Sequence, residues 1–404
     1  MEAGHFCSGL IFIMMIVQYH QFEEKRCYLL AQSMYVHIPF CTQICHYCDF
    51  NKFFIQNQPV DEYIEALGKE MSLYDLDNKE MKTVFIGGGT PTALDAFQME
   101  RLLTSIHDHI RLGKGYEFTI EANPGDLTKD KLAVMKEAGV NRLSLGVQTF
   151  NEQLLKKIGR AHNVDDVYRT VSLAREAGFE NISIDLIYSL PGQTIDDLKE
   201  TIDRALEFEL PHFSAYSLII EPKTVFYIML NKGKLSLPSE DTEASMYEYV
   251  MDRMERAGYH QYEISNFGKP GYESKHNLVY WNNEEYYGFG AGAHGYLDGI
   301  RYHNHGPLKK YMNAIGNGEK PIIEQINVSM RERMEEEMFL GLRKTDGVSL
   351  EGFKRHFGVD MNEVFGEVIT NLTQKELLVI SEGKIKLTRQ GKLIGNEVFQ
   401  DFLL

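Results

Sequence analysis

From Met34 onward, short apolar runs of β character alternate with longer stretches whose apolar residues recur at helical spacing. The short runs are YVHI (35–38), TVFIG (83–87), EFTIE (117–121), RLSLGV (142–147), NISIDLI (181–187) and FSAYSL (213–218). Stretches such as VDEYIEALGKEMSLYDL (60–76) and KDKLAVMKEAGV (129–140) separate them and predict amphipathic helices. EAGV at 137–140 and EAGF at 176–179 predict helix ends, because glycine adopts the left-handed conformation that closes a last turn.

Strands alternating with helices predict parallel βα units, and six of them predict an α/β fold: a partial (β/α)6 TIM-type barrel. Such barrels gather their chemistry at the C-terminal ends of the strands. Polar and glycine-rich sequence follows the strands here in just that way. Cysteines follow the first and GGGTPT (87–92) the second; the third ends at Glu121 in EANPG, and the fourth at Gln148 in GVQTFN. The fifth carries Asp185 ahead of YSLPGQT. A single strand-end carboxylate is ordinarily a solvated or capping group; several on one rim predict a site.

The pattern changes near residue 326. A helical stretch opening on MRERMEEEM leads to VSLEGF, a helix-start signature, and LLVISEGKIKLT (377–388) reads as a two-stranded wing turning at Glu382-Gly383. The expected division is 1–33 as an N-terminal extension, 34–325 as the barrel with its own additions, and 326–404 as a winged-helix-like α+β module. Winged modules often bind DNA, but the acidic run here favours protein or intramolecular packing.

Charge supports that choice. The 404 residues carry a net charge of −16, which argues against a nucleic-acid surface. The apolar run LIFIMMIV (10–17) is far shorter than the ~20 residues that span a bilayer, and no positive segment precedes it as in a signal peptide. One reading takes Met34 as the true start and 1–33 as upstream sequence. All five cysteines (Cys7, Cys27, Cys41, Cys45 and Cys48) lie before residue 49, unlike a disulfide framework spread over its fold. A reducing, cytoplasmic setting with one special cluster is expected.

That cluster, FCTQICHYCDF (40–50), allows two chemistries. Three thiolates with His37 or His46 could bind zinc. Alternatively, Cys41, Cys45 and Cys48 could hold three irons of a [4Fe–4S] cluster and leave the fourth open to a small chelating molecule. Tyr47 would offer an aromatic face beside it.

C-x3-C-x2-C after the first strand, with GGGTP after the second, resembles the radical S-adenosylmethionine (SAM) superfamily. YVHIPFCTQICHYCDFN, FIGGGTPT, LSLGVQTFN, IGRAH and SIDLIYSLPGQT are similar to its coproporphyrinogen-dehydrogenase-like branch. The resemblance runs from Met34 to the C-terminus. It implies cluster ligation by Cys41, Cys45 and Cys48, and SAM binding by Tyr35, Tyr47, Gly88, Gly89, Thr90, Glu121, Gln148, Arg160 and Asp185. It further implies reductive cleavage of SAM, with a flavodoxin or ferredoxin as electron donor.

Two features divide the branch. Its oxidative decarboxylases carry a further cysteine two residues after the third, where this chain has Phe50. The segment KHNLVYWNN (275–283) matches a signature of the branch's haem chaperones. There His276 would supply an imidazole to haem iron, and Tyr280 and Trp281 would pack on a porphyrin face. Taken alone, a histidine among aromatics is more often a hydrogen-bonded structural residue. His294, in GFGAGAHGYLDGIRYHN (288–304), is a further candidate near SAM or substrate. The resemblance thus implies a haem chaperone delivering haem to respiratory acceptor proteins, peripheral at the membrane during delivery, and dimeric in some members. The alternatives are an oxygen-independent coproporphyrinogen III dehydrogenase, or a radical-SAM enzyme with an unrelated substrate.

Overall fold

A computed structural model describes residues 31–76 and 79–403. The 10–17 run, Cys7 and Cys27 lie outside the described residues. Six parallel strands form in the predicted places: β1 (Ser33–Ile38), β2 (Glu80–Gly88), β3 (Arg111–Ala122), β4 (Arg142–Gln148), β5 (Asn181–Tyr188) and β6 (His212–Ser217). They lie side by side in chain order. Three short strands complete the sheet: β7 (His260–Glu263), β8 (Asn266–Gly268) and β9 (Tyr287–Phe289). The order is β9-β1-β2-β3-β4-β5-β6-β8-β7, with β9 parallel to β1 and β8 antiparallel to β6. Among the described residues the end strands β9 and β7 pair with no further strand, β7 making only the isolated bridge Glu263–Lys344, so the barrel is partial.

Successive strand residues face opposite sides of a sheet, and the side chains divide accordingly. Val84, Ile86, Phe118, Ile120, Leu143, Leu145, Ile182 and Ile184 pack outward under the helices and are fully buried. The alternate face carries Thr83, Thr119, Glu121, Ser144, Ser183 and Asp185, giving the barrel a polar lining. The helices start where the sequence provides caps. Asp95, Asn163 and Thr194 each form a reciprocal capping box with the third residue of the helix that follows. Gly139 and Gly178 end two helices at φ of +81° and +82°, where the next residue's amide bonds back into the last turn (Val140 to Met135 O, Phe179 to Ala174 O).

Strand β3 starts six residues earlier than its apolar pattern suggests. Arg111 and Leu112 pair with Glu80 and Met81, and the register then slips, so that Glu117 pairs with Thr83. The intervening GKGY, with Gly115 at φ +68°, bulges within the strand.

Beyond β9, an antiparallel sheet of His294–Leu297, Ile300–Asn304 and Ile322–Asn327 follows. A second hydrophobic core then gathers around Phe353, Phe365, Ile385 and Phe402. Its hairpin pairs Leu378–Ser381 with Lys384–Leu387. The hairpin turns at Glu382 and Gly383, whose positive φ values of 53° and 71° suit a two-residue type I′ connection. This module packs on the barrel through Ile264 N to Arg343 O (3.1 Å), Thr345 N to Tyr262 O (3.0 Å) and the Arg343 guanidinium over the Trp281 ring (4.4 Å).

Candidate functional site

The cysteine loop leaves β1 through Pro39 and is held on several sides. Phe40–Cys41 pairs in parallel with Phe53–Phe54. The Thr90 amide donates to Phe40 O (2.8 Å) and the Gly89 amide to Ile38 O (2.9 Å). Cys41 is buried with the Thr90 hydroxyl 3.7 Å from its sulfur, while Cys45 and Cys48 are half-buried. All three thiols are free of disulfides. Among the described residues, no three His, Cys, Asp or Glu side chains converge on a single ion.

Gly87, Gly88 and Gly89 bring backbone flush against this loop. A β-carbon on Gly89 would lie 2.9 Å from the Cys41 sulfur and 2.8 Å from Phe40 O. One on Gly87 would lie 2.8 Å from the Glu121 carboxylate, and Gly88 sits at φ +117° against the His37 ring. No side chain fits there, and only glycine takes the Gly88 conformation readily.

The strand ends supply the remaining groups. The Gly88 amide donates to Glu121 Oε2 (3.1 Å), and the Ser144 hydroxyl donates to Asp185 Oδ2 (2.9 Å). Burial, reinforced by the nearby Asp185 charge, pushes the Glu121 carboxyl up to about 7. Burial raises Asp185 as well, against the opposing pull of the hydroxyls around it. Gln148 is buried at φ +70° and Ser189, just past β5, sits at +60°. Non-glycine residues rarely adopt this conformation, and when they do it is often at a functional rim.

Arg160 reaches in from the loop after the helix Glu152–Lys157. It donates to Gly146 O (2.5 Å), Asn123 Oδ1 (2.5 Å) and the Cys45 sulfur (3.4 Å). The loop, β3 and β4 are therefore tied through one guanidinium. Tyr35 OH pairs with His37 Nδ1 (2.9 Å). His37 Nε2 meets Asn51 O (2.8 Å), and Asn51 Nδ2 donates to Ala291 O and Gly306 O. Tyr47 turns its ring into an apolar cluster with Leu154, Ile187 and Phe226. Phe50 is 63% exposed.

The cysteines, the glycine run, Thr90, Glu121, Gln148 and Asp185 come from the strands and the loops that follow them, while Arg160 reaches this barrel mouth from beyond a helix and Tyr35 from within β1. The histidine–aromatic signature lies deeper. His276 opens the helix Lys275–Trp281, whose first amides, those of Lys275 and His276, both donate to the Glu117 carboxylate (3.0 Å each). Its ring is buried and stacks on Phe85 at 5.2 Å. Nδ1 bonds Thr83 Oγ1 (2.8 Å) and Nε2 bonds Tyr280 OH (2.8 Å). The helix plugs the barrel beneath the mouth, and in this arrangement His276 has no nitrogen free for iron. Burial holds the ring near 3, hence neutral. Trp281 lies under Arg343 at the module interface. His294 faces His303 across two strands, rings stacked at 4.2 Å.

His276→Ala would strand the Thr83 and Tyr280 hydroxyls in the barrel. It is expected to cost about 2 kcal/mol in urea unfolding; an unchanged midpoint would refute this bracing role.

The sequence reading missed Asn51, Asn123, Ser144 and Glu117. Each follows or sits on a predicted strand as a polar residue, and that position was the available signal.

The comparisons with known proteins agree with this architecture. The Radical SAM superfamily matches residues 35–205, and the HemN C-terminal domain matches 328–394. The heme chaperone HemW of Bacillus subtilis (strain 168) is 54% identical over 375 residues, covering 92% of this chain and 99% of that protein. The heme chaperone HemW of Lactococcus lactis subsp. lactis (strain IL1403) is 52% identical over 372 residues, covering 92% and 97%. Among solved structures, coproporphyrinogen III oxidase (HemN) from Escherichia coli aligns with a TM-score of 0.81 at 23% identity, over 95% of this chain and 93% of that one. That likeness carries the fold, whereas the near full-length identities carry the lineage: the chain belongs to the heme chaperone HemW family, with a radical SAM core and a HemN-type C-terminal domain.

Proposed function

We propose that this chain is a haem chaperone that carries a [4Fe–4S] cluster and SAM at the barrel mouth and passes haem to haem-requiring respiratory proteins. The observation that carries it is the 54% identity to a heme chaperone over nearly the whole chain. The donor set fits the cofactors. Three thiols on one short loop, none of them in a disulfide, suit three irons of a cluster. The glycine run, where any β-carbon would collide with Cys41, His37 or Glu121, lets the end of β2 lie flush against that loop.

Cys41, Cys45 and Cys48 would hold the cluster. Gly88, Gly89 and Thr90 would approach the amino-acid part of SAM, with Tyr35, Tyr47, Glu121, Gln148, Arg160 and Asp185 arranged around the rest. Together these groups supply one-electron chemistry when bound. The protein's own contribution is placement: Arg160 fixes the loop against β3 and β4, and Glu121 holds a proton near neutral pH. A small electron-transfer protein would serve as reductant.

The decarboxylase reading has less support, because Phe50 occupies the position of its further cysteine and the structural likeness to HemN is at 23% identity. Among the described residues no helix is long and apolar enough to cross a membrane; peripheral contact with the membrane during delivery is part of the proposal.

Titrating hemin into reconstituted protein, alongside coproporphyrinogen III with SAM and a reductant, tests the proposal. Stoichiometric haem binding without porphyrin turnover is expected. Decarboxylation at a catalytic rate would overturn it.

A further inference from the structure

Past β6, the chain runs along the rim and returns to the cysteine loop. The Leu218 amide donates to Tyr188 O (3.0 Å), and the Phe226 amide donates to His46 O (3.0 Å). Phe226 is fully buried, with its ring against His46, and anchors the helix Val225–Asn231. The rest of that helix is inverted relative to an ordinary surface helix. Val225, Tyr227, Ile228 and Leu230 are exposed, Ile228 at 50%, and Ile219 just before them is 63% exposed. A seven-residue helix gains nothing in folding by showing four apolar side chains to water, and contiguous apolar surface of this kind marks a binding face.

Charge narrows what it binds. The chain carries −16 overall, yet residues 216–237 contain a single acidic residue, Glu221, against three lysines, Lys223, Lys232 and Lys234. All three are exposed, and none makes an ion pair among the described residues. An apolar face bordered by free cations, beside a thiol loop, matches a flat, hydrophobic molecule carrying two carboxylates. The buried plug offers no such surface, since both nitrogens of His276 are engaged.

We infer that haem rests on the exposed face of the segment 216–237, its macrocycle against Ile219, Val225 and Ile228 and its propionates toward Lys223, Lys232 and Lys234. This rests on the haem-chaperone reading and adds a place to it. Delivery then requires no unpacking of the barrel, because the haem lies on an open rim that an acceptor can approach.

Hemin titration of the full chain, followed by its Soret absorbance, tests the site. Ile228→Glu and the pair Lys232→Glu/Lys234→Glu are expected to weaken binding at least about tenfold, with circular dichroism and iron–sulfur absorbance retained. Phe97→Glu, on the remote helix Ala96–His107, is the control for nonspecific adsorption to exposed aromatics. Wild-type affinity in Ile228→Glu would overturn the site while leaving the haem reading intact. Wild-type affinity in the lysine pair would overturn the propionate assignment. Loss of binding to phosphatidylglycerol vesicles in Ile228→Glu, with haem affinity unchanged, would reassign the face to a lipid surface and overturn the inference. Absence of stoichiometric haem binding in the wild type would overturn the chaperone reading itself, and this site with it.

Discussion

Cys45→Ala is expected to abolish the visible iron–sulfur absorbance after anaerobic reconstitution while leaving the fold intact. Of the three thiols, Cys45 gives the cleanest test. Its sulfur is half-buried, and its hydrogen-bond contacts are the Arg160 guanidinium at 3.4 Å and the Tyr47 hydroxyl. Arg160 keeps Asn123 and Gly146 when that contact is lost, so urea stability should change by less than about 1 kcal/mol. Cys41 is a poorer choice because it is buried beneath Thr90 and Gly89, where its removal would open a cavity. A [4Fe–4S] cluster held by three thiolates has no spare protein ligand to replace one. Retained absorbance at wild-type iron content would refute the ligand assignment. The same variant separates two roles in haem handling. If haem rests on the rim at 216–237, Cys45→Ala should still bind hemin at unit stoichiometry. Its reduction-dependent behaviour would be gone.

The sequence made the six core strands and the chemistry of the mouth legible for one reason. A strand with helices packed on its outer face and polar groups on its inner one writes both facts into a short apolar run with a polar end. Glu121 and Gln148 stand at such ends and Asp185 in the second half of such a run, and the Glu121 and Asp185 carboxyls lie close enough for their charges to interact. The short strands β7, β8 and β9 carry three or four residues each, too few for any period to emerge. Glu70 shows a subtler loss. In a charged helix it passes for a solvated residue, yet it lies fully buried, accepting from Tyr311 OH (2.6 Å), Asn304 Nδ2 (2.7 Å) and the Gly290 amide (2.8 Å). Its spacing from Tyr63 and Leu67, seven and three residues away, places it on the buried face, and that was the readable signal. His276 was legible as a motif and illegible as a position. Nothing local announces that Glu117, some 160 residues earlier, will cap its helix and draw the ring into the barrel.

Glu121→Gln is expected to stabilise the cofactor-free protein above neutral pH and to weaken SAM binding about a hundredfold. The carboxyl's ordinary value is 4.5, and in the fold it rises to about 7 because burial and the Asp185 charge disfavour ionisation. Between those values the native state holds more protons than the unfolded state, so stability falls as pH rises from about 4.5 to about 7 and is flat on either side. At about 1.4 kcal/mol per pH unit, this would reach about 3 kcal/mol. Solvent at the half-open rim reduces it to about 2 kcal/mol. A glutamine keeps an acceptor for the Gly88 amide and carries no charge, so its urea midpoint should lack most of this decline between pH 5 and 8. The wild-type cost makes sense as poise. A carboxylate held uncomfortably beside Asp185 would gain a partner if SAM brought hydroxyls or its amine to the rim, and part of the binding energy would be the relief of that strain. An amide has no such relief to offer, which is why affinity should fall although the fold is firmer. Equilibrium dialysis of SAM against reconstituted wild type and Glu121→Gln, paired with urea melts at pH 5 and pH 8, reads both effects. Unchanged affinity together with a wild-type pH slope would remove Glu121 from the site.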